Sequence, residues 1–169
     1  MRRILKAWKN EKGLTLVELL AVVVILGIIA AIAVPSVGGI IENSKKDAHI
    51  ANAQQMISSA KLVAISELTT KDGSTFYIPL DYLIDKGYLD NFENPFTNNN
   101  YSGVTPDSDS FNNFDFTLPS GSLHYVTVTK NGNKYTYTVT LNDDQTTKSY
   151  DISNETETQL NREQAFTTN

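Results

Sequence analysis

The sequence predicts an α+β protein in which one long N-terminal helix, apolar in its first half and amphipathic in its second, packs on a small antiparallel β-sheet head. Three observations carry this. Between Lys12 and Glu42 the only charged side chain is Glu18, and Leu19–Val34 reads LLAVVVILGIIAAIAV. Apolar residues then recur at helical spacing as far as Leu68. Further along, two alternating Thr-rich runs flank an Asn-Gly pair, the strongest short-range hairpin cue. A length of 169 residues allows one ordinary domain plus an appendage.

The first element is set by charge. Arg2, Arg3, Lys6, Lys9 and Lys12 precede the apolar run beside a single acid, Glu11. This segment holds five of the 14 basic and one of the 19 acidic side chains, so the remainder carries −9 of a total of −5. The basic end is retained in the cytoplasm and the acidic part lies outside. Helical from 14 to 41, the run extends on the order of 40 Å, enough to span a bilayer. A cleaved secretory signal would use Ala31-Ile32-Ala33, but the apolar stretch exceeds the ~7–15 residues usual for such a core. A plain anchor explains length and flanking charge, yet gives no reason for a carboxylate just inside the boundary.

Lys12-Gly13-Leu14-Thr15-Leu16-Val17-Glu18 resembles the processing site of type IV pilins and the related pseudopilins of type II secretion. The resemblance covers Lys12 to Pro35. It implies cleavage after Gly13 by a prepilin peptidase, with Leu14 becoming an N-methylated first residue; leucine there departs from the commoner phenylalanine or methionine. Glu18 falls four residues beyond the new terminus, where the family keeps a glutamate that is thought to meet the α-amine of a neighbouring subunit. Gly27 and Pro35 match a glycine and a proline of the same helix, between which the helix loosens in filaments. The physics agrees. Glycine before the cut leaves the scissile backbone unobstructed, and an amine in an apolar assembly is costly unless paired.

The resemblance further implies a structural role: a membrane-inserted precursor that polymerises with itself through residues 14–41 into a surface filament serving adhesion, motility or biofilm formation. Its partners are the peptidase, the membrane and the pilus assembly machinery. A pseudopilin of a secretion or competence DNA-uptake apparatus is the alternative, and a singly anchored sensor or enzyme domain is the alternative of another class.

Beyond Pro35 and Gly38-Gly39, Ile41, Ala48, Ala51, Ile57, Ala60, Leu62, Ala64, Ile65 and Leu68 mark one face of an amphipathic helix. The long helix therefore runs from about Leu14 to about Leu68, stopped by Thr69–Gly73. Phe76–Ile78 reads as a short strand. Leu80–Tyr88 reads as a short helix with Leu80, Leu83 and Ile84 inward and Gly87 as terminator. A small helix ending in Gly-Tyr occurs in Gram-positive members of the family, and the lack of cysteine, where many Gram-negative pilins have a disulfide, points the same way. From Asn94 to Asp115 the only aliphatic residue is Val104, which reads as a surface loop. Tyr125–Thr129 and Tyr135–Leu141 form the hairpin, with Tyr135, Tyr137, Val139 and Leu141 on one face and Thr136, Thr138 and Thr140 on the other. Lys148–Ile152 is a third strand after a turn at Asp143-Asp144. From about Glu155 the chain reads as a flexible, frayed or weakly helical end. The head is thus residues 42–169, following the 1–13 leader and the 14–41 span.

No catalytic centre is expected. Zero cysteines exclude thiolate chemistry, and the histidines, His49 and His124, have no spaced metal or triad partner. Net acidity argues against strong nucleic-acid binding. Asp107, Asp109 and Asp115 raise a calcium question, but Phe111 and Asn112 stand where an EF-hand loop needs an oxygen ligand and glycine. A solvated loop and no metal or cofactor are expected. Leu118-Pro119-Ser120-Gly121 lacks the threonine of a sortase signal, and the sequons at Asn100 and Asn154 carry little weight.

Overall fold

The computed structural model describes residues 15–68, 75–101, 124–143 and 149–166. Helix α1 spans Leu16–Glu67 and strand β1 Thr75–Pro79, followed by helix α2 over Leu80–Asp85. Strands β2 (His124–Asn131), β3 (Lys134–Leu141) and β4 (Ile152–Thr156) complete one antiparallel sheet in the order β1-β2-β3-β4. This is the α+β, pilin-like architecture that the sequence predicts. The chain divides into two compact units, Met1–Ile41 and Glu42–Asn169.

In the first unit, every residue from Thr15 to Ile41 is exposed. Here α1 is long and apolar enough to cross a membrane. The helix is continuous through Gly27 and Pro35, although proline has no N–H to give the carbonyl one turn back.

In the second unit α1 buries a single stripe. Ile50, Ala53, Met56, Ile57, Ala60, Val63 and Ala64 recur every three or four residues and close against the inner face of the sheet. That face is Ile78, Val126, Val128, Val139, Leu141 and Ile152, each with no exposed surface. The stripe is narrower than the sequence pattern implies: Ala48 and Ala51 are exposed, and Leu62 and Ile65 are 56% and 72% exposed. At about 100° per residue these four fall on the side of the helix opposite Ile57 and Ala60. Apolar residues on both sides of a helix blur the reading of its buried face.

The hairpin is tighter than its five-residue spacer suggests. Asn131 pairs with Lys134, leaving only Gly132-Asn133 as the turn. Gly132 has φ +58°, which a glycine takes without strain. Helix α2 ends as expected at Gly87, φ +74°: its N–H bonds to the Ile84 carbonyl at 3.0 Å and that of Tyr88 to the Leu83 carbonyl at 2.9 Å, the paired bonds of a Schellman motif. Tyr82, rather than Ile84, is the third buried residue of α2. Its hydroxyl and that of Tyr88 both donate to the Glu67 carboxylate, tying α2 and the residues after it to the end of α1. Burial and that bond push the Tyr82 hydroxyl above its ordinary pKa.

Three other expectations are corrected. Residues 94–101, read as the start of a surface loop, expose Asn98–Asn100 but are anchored at both ends: Tyr101 is buried, and Asn94 is fully buried, donating to the Asp143 carbonyl at 2.8 Å and accepting from the Phe96 N–H. The polar composition conceals an asparagine used as internal scaffolding. Strand β4 begins at Ile152, where the sequence reading ends its third strand; ahead of it the backbone is bonded to aspartates instead of a ladder, with the Tyr150 N–H donating to Asp143 and the Asp143 N–H to Asp151. The end of the chain, read as frayed from about 155, continues β4 through Thr156 and then turns. Leu160 and Ala165 bury themselves there, Arg162 grips Asp47 through two nitrogens, and Lys61 meets Glu157. Thr69–Gly73, Val104, Asp144 and Lys148 lie outside the described residues.

The fragment Glu42–Asn169 should therefore be soluble and unfold cooperatively, with mixed helix and sheet by circular dichroism. In it, Ile57→Ala should cost about 2–5 kcal/mol in denaturant unfolding, whereas Arg162→Ala, breaking an exposed pair, should cost less than about 1 kcal/mol.

Candidate functional site

The residues that the sequence singles out lie between Gly13 and Pro35 in the chain. Gly13 and Leu14 lie outside the described residues. Glu18, Gly27 and Pro35 are on the helix, and Gly27 and Pro35 stand about 13 Å and 26 Å along it from Glu18. They do not converge into a cavity. They are marks along one rod.

Glu18 has a partner that sequence reasoning missed. Thr15 is the N-cap of α1: the Glu18 N–H donates to the Thr15 hydroxyl oxygen at 3.3 Å. In return, the Thr15 N–H and hydroxyl both donate to Glu18 Oε2, each at 2.8 Å. This reciprocal pair is a capping box. Its signature, Thr-x-x-Glu ahead of an apolar run, stands in the sequence, where the glutamate is both a charge and a hydrogen-bond acceptor. The box supplies acceptors to two backbone N–H groups that the helix start leaves without partners. It also sets where the helix begins.

A continuous Cβ-free notch does not accompany Gly27. A Cβ added there would meet nothing within 4 Å, so nothing in the single chain demands glycine at this position.

In the head, His49 and His124 are both buried and share Tyr101 as a neighbour. Buried His49 places Nδ1 2.6 Å from the Tyr101 hydroxyl and Nε2 3.2 Å from the Leu141 carbonyl. The carbonyl can only accept, so a neutral His49 ring carries its proton on Nε2 and accepts from Tyr101 at Nδ1. His124 packs edge-on to the same Tyr101 ring, centroids 5.2 Å apart, and accepts from the Asn142 N–H. Asp107, Asp109, Asp115 and Leu118–Gly121 lie outside the described residues. Among the described residues no group of three His, Asp or Glu side chains could hold a metal ion. Asn154 sits in β4 with φ +56° and accepts from the Thr138 hydroxyl.

Comparison with protein families matches residues 8–34 to the prokaryotic N-terminal methylation motif. The chain carries the N-terminal signature of type IV pilins and pseudopilins. The matched stretch contains Gly13, Leu14, Thr15, Glu18 and Gly27 and ends one residue before Pro35. The motif supports a pilin- or pseudopilin-type precursor, the apolar helix fits a membrane anchor, and the motif is that of a structural rather than an enzymatic family. No curated protein and no solved structure matches the chain.

The pilin-type head also holds one carboxylate against its preference. Burial, and then the nearby Asp85, push Asp81 above the ordinary aspartate range, with His124 opposing. The folded head thus binds this proton more tightly than the unfolded chain, so stability falls as pH rises from about 3.8, the model-peptide range, through the raised folded value. Asp81→Asn should raise the melting temperature at pH 7 and leave it unchanged near pH 3, measured by calorimetry on the head fragment.

Proposed function

We propose that the chain is the structural subunit of a type IV pilus. A prepilin peptidase cuts after Gly13 and methylates Leu14, and the mature subunits polymerise in the membrane through the 14–41 helix with the help of the assembly machinery. The observation that carries the reading is the joining of a methylation motif to a helix exposed and apolar on all sides from Leu19 to Ile41, continuous with an amphipathic half that belongs to a packed head. A plain anchor would not need a carboxylate and a cleavage glycine at this spacing. In the filament the heads form the outer surface, and the surface of the head decides what the filament touches.

Within this reading Glu18 is the register mark. In an isolated precursor the carboxylate is near the membrane interface and in reach of water. In a filament core that route is closed, and charge then needs a counter-charge. Lys45 is about 40 Å along α1, 27 residues at ~1.5 Å each. The leader lysines are gone after cleavage. The cation left is the Leu14 amine that cleavage itself creates, on a neighbouring subunit. Assembly thereby waits for processing.

Electron microscopy of filaments sheared from source cells, with N-terminal sequencing of their subunits, tests the reading: the expected result is a chain beginning at Leu14. A start after Ala33, or a retained Met1, would overturn it. Replacing Gly13 with a bulky residue should leave uncut precursor in the membrane. Glu18→Ala breaks a buried pair, at about 3–5 kcal/mol, and should give normal insertion and cleavage with few or no filaments.

A further inference from the structure

His49 ties three separate parts of the head together. It lies in α1 with no exposed surface, and its two ring nitrogens reach Tyr101 on one side and the Leu141 carbonyl on the other. Neither of these partners is an anion. Aromatic rings surround the imidazole: Phe96 edge-on at 5.5 Å between centroids, Tyr101 tilted at 5.7 Å and Phe166 stacked at 6.2 Å. Tyr101 in turn anchors the far end of the segment that begins at Asn94. Its hydroxyl also accepts from the Asn52 side chain at 3.3 Å, and its ring meets those of Phe92 and His124 edge-on.

We propose that His49 and Tyr101 form an acid-sensitive latch, which releases the Tyr101 end of residues 94–101 from α1 when the imidazole takes up a proton. The Tyr101 hydroxyl can donate to Nδ1 only while Nδ1 keeps its lone pair. A proton there sets two donors face to face, and the Asn52 amide presents the same hydroxyl with a third. The charge is the larger cost, because an imidazolium enclosed by Phe96, Tyr101 and Phe166 has lost its water. Charged groups on the surrounding elements do not favour it. Lys46, three residues back on α1, stands 4.8 Å from the Tyr150 ring centroid and 5.9 Å from that of Phe166, a like charge beside the ring that stacks on His49. Glu42 is bonded to the Tyr150 hydroxyl and paired with Lys46, and Asp47 is held by Arg162. Asp143 and Asp151 accept from backbone N–H groups, and Glu93 is exposed. His124, on the other side of Tyr101, differs, because its charge is coupled to that of Asp81, an anion that favours the proton. A group that holds its proton less tightly when closed than when open weakens the closed form as pH falls. With the opened histidine at its ordinary value of about 6.5, closure is complete above that pH and is lost progressively below it. The stripe of α1 under the sheet is apolar and does not titrate, so the core stays closed while the segment lifts. The latch needs only the folded head and is independent of filament assembly.

Hydrogen exchange of the full chain in detergent micelles, read by mass spectrometry and corrected for the intrinsic effect of pH, tests this near pH 7.5 and near pH 5. The segment has its own reporters, since the Asn94 and Asn98 N–H groups bond to the Asn99 and Asn94 carbonyls at 2.7 and 2.8 Å. Their protection should fall about thirtyfold at the lower pH, the ratio for an open form with an ordinary histidine and a closed form that takes no proton. Strands β2 and β3 should keep theirs. His49→Gln can still donate to the Leu141 carbonyl but does not titrate, and it should protect the segment equally at both pH values. Should that variant fold poorly, NMR titration of the imidazoles, assigned with His124→Gln, should still place His49 below the ordinary histidine range. An unchanged wild-type segment, a loss shared by the whole head, an acid response that survives in His49→Gln, or a His49 that titrates at or above the ordinary range overturns the proposal.

Discussion

The contact on which the head depends is the closure of the sheet over one stripe of α1. Ala53, Ala60 and Ala64 are small enough to let strands come close, and Met56, Ile57 and Val63 fill the space between. No disulfide is available to substitute for this packing, because the chain has no cysteine. The same helix, before Glu42, has no cover at all. One continuous element thus needs two environments: a protein core on one side of its second half, and an apolar surrounding on every side of its first. Water satisfies neither requirement along Leu19–Ile41, where exposing so many Val, Ile and Leu side chains costs roughly 25 cal/mol per Å².

Within the head, polar groups are buried only where their bonds are made. His49, Asn94, His124 and Asp143 are among the buried residues, and each has a hydrogen-bond partner drawn from a distant part of the chain. His49 reaches from α1 to Leu141 at the end of β3, and Asn94 reaches from the segment after α2 to Asp143 just beyond it. Such groups cost little when satisfied and much when not. They specify how the connecting segments lie on the helix-and-sheet core, which hydrophobic burial alone would leave loosely defined.

This division explains what was legible in the sequence. The long helix, the hairpin and the Gly87 stop each announce themselves locally, through period, Asn-Gly chemistry and a glycine at positive φ. The methylation motif is local as well, and its residues were readable before any fold was known. What could not be read depends on contacts distant in sequence. Nothing local distinguishes Asn94, fully buried, from the other asparagines near it. Leu160 and Ala165 look too sparse to hold a polar end, yet they need only a place on a core already formed. Leu62 and Ile65 show the reverse: they are apolar in composition, and their angle around the helix leaves them exposed. Thr15 is a different failure, since its signal was local and present but was outweighed by a more familiar role for Glu18.

The capping role of Glu18 is compatible with the pairing role proposed for it. Both bonds from Thr15 fall on Oε2. Two neutral donors satisfy lone pairs on that oxygen but leave the net charge of the carboxylate unchanged, so the group still seeks a cation once water is withdrawn. Oε1 can serve that cation without breaking the cap. The cap also limits rotation of a side chain that would otherwise sample several positions, and a carboxylate held in one place loses less entropy on pairing than a free one. On the proposed pairing, Thr15 and Glu18 would act as one unit: the threonine holds the acid at the helix start, and the amine that the proposed cleavage exposes would answer its charge. Serine at position 15 would preserve the unit, whereas valine, of nearly the same shape, would leave the acid present but unaimed.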